Sequence, residues 1–133
     1  MGLIEVLVAV LVLAIGLLGI AALQNLTLKN SGSSASRTQA AIQVYSMMDI
    51  LRANRDNLGG YNTNIYMAGD GTGQPGTLMG WLDGLRTTVA PDARGRVVCD
   101  ADAMRCRVGV QWLDDRATGG TSTPVTVDIQ SQL

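Results

Sequence analysis

Three groupings in this 133-residue sequence place ionisable or reactive side chains at spacings with chemical meaning. The first is Glu5, in Leu3-Ile4-Glu5-Val6-Leu7-Val8, followed directly by eighteen residues, Val6 to Leu23, that carry no polar side chain. An ionised group costs about 2.5 to 3.5 kcal/mol at the centre of a membrane helix and less near its end. Glu5 therefore calls for a partner or a nearby interface; the plainer reading is a polar residue lying at headgroup level.

The second grouping is Cys99 and Cys106, which bracket Asp100-Ala101-Asp102-Ala103-Met104-Arg105. A disulfide here would close a loop of about eight residues, worth roughly 2.5 kcal/mol in the chain-entropy model, and would suit an oxidising compartment. The rivals are a metal site completed by Asp100 and Asp102, or two unpaired thiols. Two thiolates without an imidazole make a poor zinc set, and calcium wants more oxygens than two short carboxylates supply.

The third is Gly71-Thr72-Gly73-Gln74-Pro75-Gly76, which matches G-x-G-x-x-G. A dinucleotide site needs a strand before this motif and a helix after it, within a parallel βαβ unit. Nothing before Gly71 alternates as a buried strand does, and Pro75 removes one of the amides that would face a phosphate. A surface loop is expected.

Composition narrows the chemistry further. The sequence contains no histidine, which removes the commonest general base and metal ligand and rules out Ser-His and Cys-His nucleophiles. Charged residues make up 16% of the chain and the net charge is −1, so there is no basic field for nucleic acid. A non-enzymatic protein without cofactor or metal is expected.

The elements that must position these groups begin with the apolar run. As a helix, Leu3 to Leu23 would span roughly 31 Å, enough to cross a bilayer core. A secretory signal would have a basic n-region, which Met1-Gly2 does not provide, so the segment is expected to stay in the working protein. Helical periodicity returns over residues 35–55, with Ala41, Val44, Met48 and Leu51 on one stripe. No proline occurs before Pro75, so a single helix of about 54 residues, roughly 80 Å long, is possible. Its weak points are Ser31-Gly32-Ser33-Ser34 and, in the apolar half, Gly16 and Gly19.

Beyond it, residues 62–76 read as a loop. Thr77 reads as the N-cap of a short helix bearing Leu78, Trp81, Leu82, Leu85 and Val89 on one face, with Pro91 past its end. Antiparallel strands are expected at Arg96 to Cys99, Cys106 to Leu113 and Val125 to Ile129, with the second turn drawn from Asp114-Asp115 and Thr118-Gly119-Gly120-Thr121. The fold class is α+β: a long N-terminal helix and a small domain with a short helix over a three- to four-stranded antiparallel sheet. The chain divides into residues 1–24, 25–55 and 56–133.

Leu3-Ile4-Glu5-Val6 followed by a long apolar helix resembles the mature amino terminus of the type IV pilin family. That family begins with an aromatic and a small residue, here replaced by Met1-Gly2. The run Tyr45-Ser46-Met47-Met48-Asp49-Ile50-Leu51-Arg52-Ala53-Asn54-Arg55, leading into Asn57-Leu58-Gly59-Gly60-Tyr61, is similar to the end of the long helix in PilV-type minor pilins. The resemblance implies the pilin ladle fold, and a precursor whose leader is cut by prepilin peptidase before the new terminus is methylated. It also implies that Glu5 pairs with the free amino terminus of a neighbouring subunit, with Leu3, Ile4 and Val6 packing around it. Arg52 and Arg55 are read as cations of the last helical turn and as possible subunit contacts.

The implied partners are other minor pilins, the major pilin, the inner-membrane assembly platform and the lipid bilayer. The implied location is the inner membrane with a periplasmic domain, or the pilus on the cell surface. Lys29 and Arg37 follow the span with no cation before it, so a literal positive-inside count points the other way. The leader would supply the opposing charge. A pseudopilin of a type II secretion system and a single-span periplasmic binding module are the alternatives.

Overall fold

The computed structural model describes residues 2–114 and 123–133; the turn expected at Asp115 and Thr118 to Thr121 lies outside them. The first element, α1, runs without interruption from Leu3 to Ala53, 51 residues, or about 76 Å at 1.5 Å per residue. The weak point expected at Ser31 to Ser34 is helical. Serine and glycine there lower intrinsic propensity by at most about 1 kcal/mol each, and Ser33 gains a buried tertiary partner described below.

Ala53 ends the helix. Asn54, at φ −122° and ψ 40°, breaks the geometry and turns the chain into a 3-10 segment, Arg55–Tyr61. Arg52 therefore sits in the last turn of α1, whereas Arg55 lies past its end, a correction to the expectation that both occupy that turn. A loop then leads to α2, Leu78–Thr88, and to three strands: β1, Arg94–Asp100; β2, Arg105–Leu113; and β3, Pro124–Gln132. Each strand exceeds its predicted length. The ladders continue through Arg94, Arg105 and Gln132, polar residues whose side chains take no part in backbone pairing.

The sheet is antiparallel in the order β1-β2-β3. One face packs against α2 and the upper half of α1, around Val44, Met47, Met48, Leu51, Leu82, Leu85, Val97, Val108 and Val110, all buried. On α1 the buried stripe is Ala40, Val44, Met47, Met48 and Leu51, with Ala41 only half-buried. The period-2 alternation of β2 delivers Cys106, Val108, Val110 and Trp112 to this core and turns Arg105 and Arg107 outward.

Among the described residues the sheet has three strands, yet the free edge of β1 is not bare. Met67 exchanges two backbone hydrogen bonds with Gly95, both 2.8 Å. Thr63 bonds Val97 through its amide at 2.9 Å and accepts the Val97 N–H on its hydroxyl at 3.0 Å. The Asn62 side-chain amide accepts from the Cys99 N–H at 2.6 Å and donates back to the Cys99 carbonyl at 3.2 Å. Backbone and side-chain groups of a loop thus complete the edge where a strand would otherwise be needed to satisfy the backbone.

Candidate functional site

The lower half of α1 has no covering. Every residue from Gly2 to Ser31 is exposed, and the apolar window within the helix is long and hydrophobic enough to cross a membrane. Leu3, Ile4 and Leu18 are each at least 70% exposed, which in water would leave a continuous apolar surface with nothing to shield it. Such a surface marks contact with lipid or with other apolar helices.

Glu5 stands at the start of this surface. Its Oε2 accepts from the Gly2 N–H at 3.3 Å, while the Gly2 carbonyl accepts the Glu5 N–H at 3.1 Å. The carboxylate therefore closes the first turn and lies at the positive end of the helix dipole, where an anion is favoured by about 0.3 to 1 kcal/mol. One such bond leaves most of its four acceptor positions free for a further donor. Leu3, Val6, Leu7 and Ala9 flank it along the same open surface.

At the other end of α1, Arg52 Nη1 bonds Asp49 Oδ1 at 2.9 Å in an exposed i,i+3 pair. Arg55 is exposed and makes no side-chain bond among the described residues. Among the described residues the two arginines share no bonding partner. Beside Asp49, Ile42 and Tyr45 are more than half exposed, a short apolar strip on the upper helix separate from the apolar span.

The domain is fastened to α1 by named polar contacts as well as by the core. Ser33 Oγ donates to Asp114 Oδ2 at 2.5 Å, Ser36 Oγ donates to the Val89 carbonyl at 3.2 Å, and Trp81 Nε1 donates to the Gln43 carbonyl at 2.8 Å. These lie on successive parts of one helix face. The Ser33–Asp114 pair escaped sequence reasoning because a serine in a polar stretch and an aspartate at a strand end carry no pattern linking them.

The glycine-rich loop is occupied by its own protein. Asp83 of α2 accepts from the Gly71 N–H at 2.7 Å on Oδ1 and from the Gly73 N–H at 2.8 Å on Oδ2. Amides that a phosphate would require are thus turned onto an internal carboxylate. Gly71 and Gly76 adopt φ of +84° and +79°, a backbone that residues with a Cβ rarely accept. Asp70, fully exposed at the rim, accepts from the Thr72 hydroxyl and amide, and these bonds hold its carboxyl below the ordinary range. Thr77 caps α2, accepting the Gly80 N–H at 3.1 Å, as expected.

Cys99 and Cys106 are joined by a disulfide across directly paired positions of β1 and β2. Among the described residues, no group of three or more acidic or sulfur side chains stands close enough to hold a metal ion. Comparison of the chain with protein-family models, with curated proteins and with solved structures finds no match.

Proposed function

We propose that the protein is a minor pilin that helps prime or form a type IV pilus through lateral assembly of its N-terminal helix with other pilins. The supporting observation is the union of two parts on one rod: an uncovered apolar span that opens with Glu5, and a small sheet domain clasped to the far end of the same uninterrupted helix. An apolar helix held in a bilayer leaves it readily only for another apolar environment, such as a bundle of like helices. A charge satisfied in one register specifies that register more than it stabilises the bundle.

On this reading the architecture is the pilin ladle. The span rests in the inner membrane with the domain in the periplasm until the assembly platform passes the subunit into the fibre. The Glu5 carboxylate exchanges its local bond to Gly2 for the amino terminus of a neighbouring subunit, the major pilin or another minor one. Prepilin peptidase acts on the precursor. The domain, with Arg52, Arg55 and the Ile42–Tyr45 strip at its margin, selects the neighbour.

The test is deletion in a cell that bears such pili. Surface fibres, counted by electron microscopy, should fall strongly while an immunoblot shows an unchanged pool of major pilin, because a priming subunit controls initiation and not supply. Normal fibres with defective protein secretion would transfer the assignment to a secretion pseudopilin. Normal fibres and normal secretion would leave a single-span periplasmic binding module.

A further inference from the structure

The outward face of the sheet concentrates guanidinium groups that helix assembly does not use. Arg94 and Arg96 on β1 and Arg105 and Arg107 on β2 all project on the side away from the core, although lysine occurs in the whole sequence only at Lys29. In the register of the sheet, Gly109 stands between Arg96 and Asp128. Having no side chain there, β2 lets Arg96 reach across it to Asp128 Oδ2 at 3.2 Å, with its guanidinium 4.8 Å from the centre of the Tyr66 ring. Arg107 Nε approaches Asp128 Oδ1 at 3.5 Å, and its Nη2 donates to Gln130 at 3.1 Å.

One carboxylate is thereby divided between two guanidinium groups. Asp100, the other acid on this face, accepts from the amides of Asp102 and Ala103 in its own hairpin. Among the described residues, Arg105 makes no side-chain bond and the buried Nε of Arg96 meets no acceptor. Arg96, Val98, Asp100, Arg105, Arg107 and Gln130 line a concavity of about 430 Å³. Among the described residues this face thus carries four guanidinium groups against the carboxylates of Asp100 and Asp128.

We propose that this concavity docks an acidic, extended segment of another protein, whose carboxylates on alternate residues meet Arg105 and Arg107. Those two arginines are neighbours on one face of one strand, about 7 Å apart along it. That is also the repeat of same-side residues in an extended partner. Guanidinium forks match carboxylate geometry where lysine would offer only a point charge. Nucleic acid fits less well: the Tyr66 ring has Arg96 over it, no residue lining the concavity offers a ring for base stacking, and the chain is net −1. This surface lies apart from the apolar helix, and the proposal does not depend on pilus assembly.

Full-length protein in zwitterionic detergent, titrated against a fluorescein-labelled peptide of alternating aspartate and threonine, tests it by anisotropy. Binding should be saturable, absent for the asparagine–threonine counterpart, and about tenfold weaker for the double variant Arg105→Gln/Arg107→Gln, the loss of two exposed charge pairs. Arg37→Gln, which removes a cation from exposed α1, should bind as the parent does. Absence of peptide binding, equal binding by the double variant, or equal weakening by Arg37→Gln would overturn the proposal. So would an oligothymidine strand that binds more tightly than the peptide through the same two arginines, since the partner would then be nucleic acid.

Discussion

Ser33 and Asp114, 81 positions apart, meet in a buried hydrogen bond of 2.5 Å between the Ser33 hydroxyl and the Asp114 carboxylate. They are the only two polar or charged residues among the described residues that are buried, at 7% and 6% exposure. The bond ties the end of β2 to α1 within Ser31 to Ser34, the stretch with the poorest helix propensity in the upper half. A tertiary contact thus holds the helix where its own sequence is weakest.

Replacing Ser33 by alanine removes this one bond to the Asp114 carboxylate. A bond to a charged group contributes about 1.5 to 3 kcal/mol, and the Ser33→Ala variant should unfold earlier by that order. Denaturant titration of the full chain in detergent, followed by fluorescence of Trp81 and Trp112, measures it. An unchanged midpoint would show that the contact does not support the fold.

The disulfide between Cys99 and Cys106 closes a short hairpin. Its removal in a Cys99→Ser/Cys106→Ser variant should lower stability by about 2.5 kcal/mol on the chain-entropy model. Under the proposed function, a membrane-impermeant thiol reagent applied to intact spheroplasts should label neither cysteine until an impermeant reductant is added. Labelling without reductant would mean that the bond does not form in the cell; none even with reductant would count against a periplasmic domain.

Glu5→Ala removes a polar group from an apolar segment, so membrane insertion should be preserved. Under the proposed function, recovery in complexes with other pilins should fall. Membrane fractionation and co-purification separate the two effects. Equal co-purification of variant and parent would rule out the charge-pairing role.

Tyr66 rests over Gly109 beside Arg96, and its hydroxyl ionises above its ordinary value of 10.0. Burial is the main cause; Asp128 adds to it, while Arg96 and Arg107 oppose. The folded state therefore holds this proton longer than the unfolded chain. Stability from this source is intact below about pH 10 and declines as pH rises through the folded value. The tyrosinate absorbance step that disappears in Tyr66→Phe should lie above pH 10, and that variant should lose less stability at high pH. A step at or below pH 10 would contradict the burial argument.

Much of this fold was readable in the sequence, because it rests on periodicity and local chemistry. Trp81, Leu82 and Leu85 repeat at helical spacing behind the Thr77 cap, and Val108, Val110 and Trp112 alternate at strand spacing. What stayed illegible depends on contacts between distant residues. Asn62 and Thr63 replace a strand with their side chains, Asp83 fills the glycine-rich loop, and Asp114 reaches Ser33, each through geometry that exists only after folding. At the apolar span the case is reversed: Leu3, Ile4, Glu5 and Val6 were legible as a motif, yet among the described residues only Gly2 answers Glu5.

The continuity of α1 also determines how the molecule carries load. A pull on the N-terminal end passes up a single hydrogen-bonded rod and reaches the domain along the helix axis, parallel to the buried face that runs from Ser33 to Leu51. Over those nineteen residues, about 27 Å of rod, the attachments at Ser33, Ser36 and Gln43 and the packed stripe beyond them are loaded together in shear, not peeled one at a time. Because Asp114 directly follows β2, load taken at Ser33 enters the domain at the end of that strand, while Ser36 and Gln43 pass theirs to the end of α2 and to Trp81.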